Sequence, residues 1–412
     1  MKIGLLAYHY VCNFGATLQL LSTYMYLRNR GHEAVIINYV APDLEDMYKR
    51  KSPAVQIEMQ TTLRKRIWTE TTLCQSDEDI AEMIEREGIE GVIIGSDAVA
   101  QHHPLLERIV FPCKKIVGVL KNTSNMEYPN PMWATWLDRL HKAIPVAVLS
   151  ASCQDSKYKL IPKKTLNEMN SRVSRYSYLS VRDEWTRDMY SYITHGKTVP
   201  EVTPDPVFAF NQNAASICPT EKEIKARYNL PEHYILLTFH NRRGRVSVSQ
   251  QWLDEFADIA AGHGKECVLL PFADGKSFGR MKREIEFPLN PIDWYTMIKY
   301  SDGYVGNNMH PIVVSLHNAV PFFSFDNYGT TRLNGILSDD DSSKIKHILS
   351  LAQLTDYRVS ALSRSSHAPD AKDVYAKLAS FDKNKCNAFA EKYLEHYNKM
   401  MYDILNKLSR KT

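Results

Sequence analysis

Short apolar runs alternate with segments of helical periodicity through the first half of the chain. The apolar runs cover residues 3–8, 34–39, 91–95, 145–150 and 178–181. Between the first two runs, leucine and tyrosine side chains recur at helical spacing over residues 18–27, and another helical segment covers residues 77–88. Strands that alternate with helices at this spacing are typical of βαβ units, so the pattern predicts a parallel sheet.

The alternation restarts after a polar segment of small residues at 211–219, which we interpret as a linker. Strands are predicted at 234–239, 267–271, 303–305 and 320–325, with helices at 248–262, 292–300 and 311–318. The charged segment from residue 370 onward carries an apolar stripe and predicts one or two closing helices. The fold class is therefore α/β, with two Rossmann-like domains whose parallel sheets face a cleft. We place the domains at 1–212 and 213–365 and the closing helices at 366–412.

Composition narrows the class of protein. The length of 412 residues fits two domains, and the net charge of +4 is too small for a protein that binds a nucleic-acid polymer. The apolar runs are shorter than the roughly 20 residues of a membrane helix, and the first residues resemble a strand more than a signal peptide. Seven scattered cysteines without a C-x-x-C pair are typical of reduced thiols. We expect a soluble cytoplasmic protein without a disulfide framework or a zinc site.

Polar residues follow the predicted strands of the first half. Asn13 and Gly15 precede a helix, where backbone N–H groups can bind an anion, or Asn13 simply caps that helix. Asp97 follows a glycine after a buried strand, so it can act as a base or bind a sugar hydroxyl, or it caps the next helix. Arg182 ends another strand and suits a carboxylate or phosphate, unless it forms a surface pair with Asp183.

The second half adds basic residues and a histidine at equivalent places. Arg242 and Arg243 follow one predicted strand and Lys276 follows the next, which suits an anion in the cleft. His310 precedes Pro311, a residue that fits the first position of a helix. This places His310 at a helix N-terminus, where the helix dipole disfavours its protonation and attracts phosphate. A packed structural histidine is the alternative.

Taken in order, these segments resemble the polysaccharide pyruvyl transferase family. The matching segments are residues 3–9, 13–19, 31–39, 94–97, 180–183, 204–206 and 308–310, the last leading to 320–322. The resemblance covers about residues 1–330. The chain departs from the family pattern at Asn308, where some members have arginine, and at Pro311, where glycine is usual.

The resemblance implies a fold similar to GT-B glycosyltransferases and transfer of pyruvate from phosphoenolpyruvate to two hydroxyls of a glycan sugar. The product would be a cyclic ketal in a surface polysaccharide. The acidic, arginine and histidine site positions of the family map onto Asp97, Arg182 and His310. We expect the first domain to bind the acceptor and the second to bind the donor. The acceptor residues would be His9, Asn13, Gly15 and Gln19, and the donor residues would be Arg242, Arg243, Lys276 and Asn308.

The residues are consistent with this chemistry. Ketal formation needs protonation of the methylene carbon of phosphoenolpyruvate, deprotonation of an attacking hydroxyl, and cations that bind the carboxylate and the leaving phosphate. We hypothesise that His310 is the general acid or base, that Asp97 assists the hydroxyl and that Arg182 binds the anion, without a metal or cofactor. The expected partners are phosphoenolpyruvate and a glycan or lipid-linked sugar, with peripheral membrane contact allowed. Two alternatives stay open, namely a GT-B glycosyltransferase that uses a nucleotide-sugar and a non-catalytic glycan-binding relative.

Overall fold

The computed structural model of the chain describes residues 1–113, 116–240, 248–332, 337–363 and 366–410. The strands are β1 (Lys2–Leu6), β2 (Glu33–Ile36), β3 (Gly91–Asp97), β4 (Ile109–Cys113), β5 (Ile116–Val119), β6 (Val146–Ala151), β7 (Tyr178–Val181), β8 (Glu201–Val202), β9 (Tyr234–Thr238), β10 (Glu266–Leu269), β11 (Arg283–Glu284), β12 (Gly303–Gly306), β13 (Phe322–Asp326), β14 (Thr330–Arg332), β15 (Leu337–Asp339) and β16 (Arg358–Ser360). The helices are α1 (Phe14–Asn29), α2 (Pro42–Lys51), α3 (Ala54–Ile67), α4 (Asp77–Glu87), α5 (Leu105–Arg108), α6 (Lys163–Val173), α7 (Glu184–Ile193), α8 (Phe210–Ala214), α9 (Glu221–Arg227), α10 (Gln250–Gly262), α11 (Pro291–Lys299), α12 (Met309–Asn318), α13 (Lys344–Leu351), α14 (Ala371–Ala379) and α15 (Lys383–Ser409).

Two parallel sheets of six strands form the two halves of the molecule. The first sheet has the order β2-β1-β3-β6-β7-β8 and the second has the order β11-β10-β9-β12-β13-β16. Two short antiparallel hairpins, β4–β5 and β14–β15, lie outside these sheets. The predicted α/β class with two parallel sheets is therefore confirmed.

The central strands are mostly apolar because helices cover both faces of each sheet. All of β6 and all of β9 are buried, and β3 is buried up to its last residue, Asp97. A parallel strand covered on both faces has no exposed side that would favour alternating polar residues. This burial explains why continuous apolar runs located these strands in the sequence.

Local signals set the helix boundaries. Ser76 and Asp79 form a reciprocal capping box at the start of α4, and Gly88 ends that helix in the left-handed region at φ 65°. The Asn13 side chain accepts a hydrogen bond from the Ala16 N–H at 3.2 Å, so the predicted cap of α1 is confirmed. None of the helices in the described part of the chain combines the length and apolar character that crossing a bilayer requires.

One local prediction was wrong, and a second segment contains more regular structure than expected. Helix α12 begins at Met309 with Asn308 as its N-cap, so Pro311 occupies the third helical position and not the first. The segment predicted as a linker contains the end of α8 and a short 3-10 helix, and Asn213 is buried there. The Asn213 amide donates to Ser22 Oγ at 3.0 Å and to Tyr397 Oη at 3.1 Å, which explains why polar residues are packed at this connection.

The predicted closing helices are α14 and α15. Helix α15 contacts β6 and β7 of the first sheet and also contacts α12 beside the second sheet. The buried Met400 on α15 receives a hydrogen bond from Ser150 Oγ in β6 at 3.4 Å. One helix therefore packs on both halves, and the division of the chain at residues 212 and 365 stays a prediction.

Candidate functional site

A cleft of about 310 Å³ lies at the carboxyl ends of the strands of both sheets. Many of its lining residues end a strand or follow one within three positions, namely Asp97, Arg182, His240, Phe272, Asn307, Asn308, Asn327 and Tyr328. In parallel α/β folds this edge of the sheet is where ligands bind. The cleft is therefore the candidate functional site.

Three helices begin at this cleft. The first residues of α1, α12 and α13 all line it, namely Phe14, Met309 and Lys344. The N-terminus of a helix carries a partial positive charge and unpaired N–H groups, so each of these ends favours an anion. The backbone alone thus gives the cleft a positive potential.

Arg182 is a buried cation at the base of the cleft. It is 4% exposed, its Nη1 donates to Asp205 Oδ2 at 3.0 Å, and its Nη2 lies 3.6 Å from Asp97 Oδ1. Its Nε is buried without a hydrogen-bond partner among the described residues. The predicted surface pair with Asp183 is wrong, because the Asp183 side chain accepts from the Thr186 N–H and caps α7.

Asp97 is positioned by the backbone at the end of β3. Its φ of 79° is in the left-handed region, and it follows Gly95, whose φ is 121°. A Cβ on Gly95 would lie 2.3 Å from the Leu149 carbonyl oxygen, so glycine is required there. Residues 98–104 are not helical, so the alternative that Asp97 caps a helix is wrong.

Asp97 is ionised at neutral pH. Burial by itself would raise the pKa of its carboxyl group, but the cationic side chains of Arg182 and Lys344 outweigh burial and hold this pKa below its usual range. A carboxylate in this state accepts hydrogen bonds, and a sugar hydroxyl is a suitable donor.

His310 lies in the first turn of α12 and packs directly against Gly15 in the first turn of α1. A Cβ added to Gly15 would lie 2.1 Å from Cγ and Nδ1 of the His310 ring, so only glycine allows this approach. The ring contact joins the two halves of the molecule. His310 Nε2 is buried and has no hydrogen-bond partner among the described residues.

The His310 ring is neutral at pH 7. Burial lowers its pKa below the ordinary value, although the carboxylates of Asp205 and Asp97 oppose the shift. A neutral imidazole accepts a proton at one nitrogen and becomes a proton donor once charged. The ring therefore has the properties of a general base that later acts as an acid.

Lys344 is a cleft residue that the sequence pattern did not indicate. It is 7% exposed, and burial lowers the pKa of its ammonium group to about 8. Its helix is fixed to the end of β13, because Ser343 Oγ donates to the buried Asp326 carboxylate and Arg358 Nε donates to the same oxygen at 2.6 Å. Lys344 and Arg182 together give the cleft two buried cations.

The structure brings some of the expected binding residues to the cleft and not others. Asn13, Gly15 and Asn308 line it. His9 and Gln19 do not: His9 is buried and its Nε2 lies 2.9 Å from Asn38 Oδ1, while Gln19 Nε2 donates to Asp205, the partner of Arg182. The side chains of these two residues therefore bond inside the protein and not in the cleft, and Gln19 Oε1 is buried without a hydrogen-bond partner among the described residues.

The expected basic residues of the second half have different outcomes. Lys276 is exposed and does not line the cleft; its neighbour Asp274 lines it and lies 3.5 Å from His240 Nε2. Arg242 and Arg243 lie outside the described residues. The cleft residue next to them is His240, whose backbone N–H and carbonyl group both bond to the Asn307 side chain, at 3.1 and 3.0 Å.

Comparisons with known proteins agree with this architecture. A family model described as "Polysaccharide pyruvyl transferase" matches residues 13–328, whereas no curated protein sequence matches significantly. Among solved structures, UGT73P12 of Glycyrrhiza uralensis with glycyrrhetinic acid 3-O-monoglucuronide is 7% identical, with a TM-score of 0.50 over 99% of this chain and 96% of that one. The UDP-GlcNAc 2-epimerase of Neisseria meningitidis bound to UDP-GlcNAc is 11% identical, with a TM-score of 0.49 over 97% of this chain and 100% of that one. The structural likeness supports the GT-B-like fold alone.

Proposed function

The chain belongs to the polysaccharide pyruvyl transferase family, and we propose that it transfers pyruvate from phosphoenolpyruvate to two hydroxyl groups of a glycan sugar, forming a cyclic ketal. Membership of the family supports a polysaccharide-modifying transferase. The observation that supports the finer reaction is the meeting of two buried cations, Arg182 and Lys344, with Asp97 and the unpartnered Nε2 of His310 in one cleft.

The charges of the cleft suit the donor. Phosphoenolpyruvate carries a carboxylate and a phosphate group on the same carbon, so it needs two cationic contacts in a small volume. Arg182 supplies one from the first half and Lys344 supplies the other from the second, while the N-termini of α1, α12 and α13 add partial positive charge. Asn308 contributes no charge and remains a candidate hydrogen-bond donor.

The reaction balances with the groups present. The two acceptor hydroxyls form two C–O bonds to the central carbon of phosphoenolpyruvate, and the bond from that carbon to the phosphate oxygen breaks. One hydroxyl proton ends on the methylene carbon, which becomes a methyl group, and the other leaves with inorganic phosphate. Neutral His310 takes a hydroxyl proton and, once charged, donates it to the methylene carbon. Ionised Asp97 accepts a hydrogen bond from the attacking hydroxyl and orients it.

The direct test is release of inorganic phosphate from phosphoenolpyruvate in the presence of a panel of glycans and sugar glycosides, with the ketal detected by mass spectrometry. Phosphate release that depends on an acceptor supports the proposal. Thermal stabilisation by UDP or GDP together with no response to phosphoenolpyruvate would contradict it and favour a nucleotide-sugar transferase. Sugar binding without phosphate release across the panel would indicate a non-catalytic relative.

We expect Gly15→Ala to lower kcat by roughly 10²-fold, because the added methyl group displaces the His310 ring and an ångström-scale misplacement has about this effect. Alanine is a better helix former than glycine, so α1 should remain stable. The matched control is Gly262→Ala, because Gly262 is also helical and a Cβ there meets open space. A kcat within twofold of the wild type in Gly15→Ala would show that the ring position does not limit the reaction.

The dependence of kcat/KM for phosphoenolpyruvate on pH should be bell-shaped. The alkaline limb of this profile reflects Lys344, whose pKa is about 8. Lys344 loses its charge as the pH rises from 7 to 9, so kcat/KM falls by roughly tenfold. Its acid limb lies below pH 6.5, where His310 becomes protonated. Lys344→Arg should remove the alkaline limb because arginine stays charged, and an unchanged alkaline limb in that variant would exclude Lys344 as its source.

A further inference from the structure

A small side pocket lies beside the main cleft. Gln154, Asn327, Tyr328 and Lys344 line both cavities, so the two are adjacent. The side pocket has a volume of about 20 Å³, which is room for one oxygen-sized group and not for a sugar ring or a phosphate. A group that enters it must therefore project from a larger molecule in the cleft.

Several residues with polar side chains line the side pocket. They are Gln154, Asp155, Asn327, Tyr328, Ser342 and Lys344. Asn327 Oδ1 and Ser342 Oγ are both buried and have no hydrogen-bond partner among the described residues. A buried polar atom without a partner lowers stability, so a ligand group that bonds to both atoms would gain binding energy there.

The pair of unpartnered atoms distinguishes between a hydroxyl and an anion. Asn327 Oδ1 is an acceptor and needs a donor, while the Ser342 hydroxyl can donate. A hydroxyl is the ligand group that can both donate to an amide oxygen and accept from a serine hydroxyl. A carboxylate or phosphate oxygen would be attracted by Lys344, which lines the same side pocket, but it has no proton to give Asn327 Oδ1 and would leave that atom without a donor.

We propose that the side pocket binds a single hydroxyl group of the acceptor sugar, beside the two hydroxyls that react, and so selects which sugar is modified. The proposal rests on the pyruvyl transfer proposed above and adds the place where the acceptor is recognised. Ser342 lines the side pocket and not the main cleft, so its contribution is separable from donor binding.

The test measures sugar binding and donor binding separately in Ser342→Ala. The probes are the methyl pyranosides of glucose, galactose, mannose and N-acetylmannosamine, titrated by NMR with and without phosphoenolpyruvate. We expect Ser342→Ala to bind the preferred glycoside roughly 5- to 30-fold more weakly than the wild type. The monodeoxy analogue that lacks the hydroxyl bound in the side pocket should bind to the wild type more weakly than the parent glycoside. The same analogue and the parent glycoside should bind equally to Ser342→Ala. Affinity for phosphoenolpyruvate should stay within twofold. Ser366→Ala, at an exposed serine that lines neither cavity, is the control.

Other results overturn the proposal. Weaker binding of phosphoenolpyruvate in Ser342→Ala would assign the pocket to the donor, and unchanged binding of both ligands would remove it from recognition. Absence of binding by every glycoside to the wild type at about 50 mM would exclude a sugar hydroxyl. If phosphoenolpyruvate neither binds nor releases phosphate, the proposed function fails, and the glycoside titrations still decide whether the pocket binds a sugar.

Discussion

Replacement of His310 by alanine is expected to lower turnover of phosphoenolpyruvate by roughly 10²–10⁴-fold, the usual contribution of a positioned acid or base. The reason is that His310 Nε2 is a buried, unpartnered nitrogen on a ring that contacts the opposite half of the cleft. Affinity for phosphoenolpyruvate should change little, because Arg182 and Lys344 remain. Phosphate release under saturating donor and acceptor, with donor affinity from a separate titration, measures both quantities.

Two controls make this result interpretable. His310→Gln keeps a polar side chain of similar reach but cannot shuttle a proton, so its turnover should be almost as low as that of His310→Ala. His141→Ala removes a histidine whose side chain is 91% exposed, and its turnover should match the wild type. Turnover within threefold of the wild type in His310→Ala would remove this residue from the mechanism. Loss of activity in His141→Ala would point to a general effect on the protein.

Replacement of Arg182 by methionine is expected to abolish detectable donor binding and to lower the free energy of unfolding by about 3–5 kcal/mol. Both effects have one cause. Arg182 is one of the two buried cations that line the cleft, and it also neutralises the buried Asp205 and the partly buried Asp97. Without it, Asp205 keeps a charge that water cannot reach. Urea unfolding and a phosphoenolpyruvate titration measure the two effects.

The double variant Arg182→Met with Asp205→Asn separates stability from binding. It leaves no uncompensated charge at Asp205, so part of the lost stability should return. Donor binding should stay absent, because the Arg182 guanidinium is still missing from the cleft. Recovery of donor binding in the double variant would show that Arg182 acts only through the fold. A stability equal to the wild type in Arg182→Met would show that this pair is not a buried ionic contact in solution.

Much of this architecture could be predicted because two physical signals are local. Strands buried on both faces, such as β3 and β9, are continuous apolar runs, and residues at their carboxyl ends must meet at one edge. These signals led to Asp97, Arg182 and His310. The sequence located the starts of helices less accurately. Helix α12 begins at Met309, two residues before the position that Pro311 indicated, because Asn308 takes the extended conformation of the N-cap.

Lys344 could not be predicted because its position depends on contacts far apart in the sequence. It follows the β14–β15 hairpin and an acidic run, and nothing local indicates that its ammonium group faces the cleft. The contact of Ser343 with Asp326 brings the start of α13 to the end of β13. Lys276 was expected in the cleft because it follows a strand like the other candidates. The structure exposes Lys276 instead, and the nearby Asp274 lines the cleft.

The contact between Gly15 and His310 connects the proposed reaction to the relative position of the two halves. Asp97 and Arg182 belong to the first sheet, whereas His310 and Lys344 belong to helices beside the second. In the proposed reaction the proton carrier His310 and the orienting carboxylate Asp97 therefore come from different halves of the molecule. Proton transfer to the donor is thus expected only in the arrangement in which the His310 ring contacts Gly15.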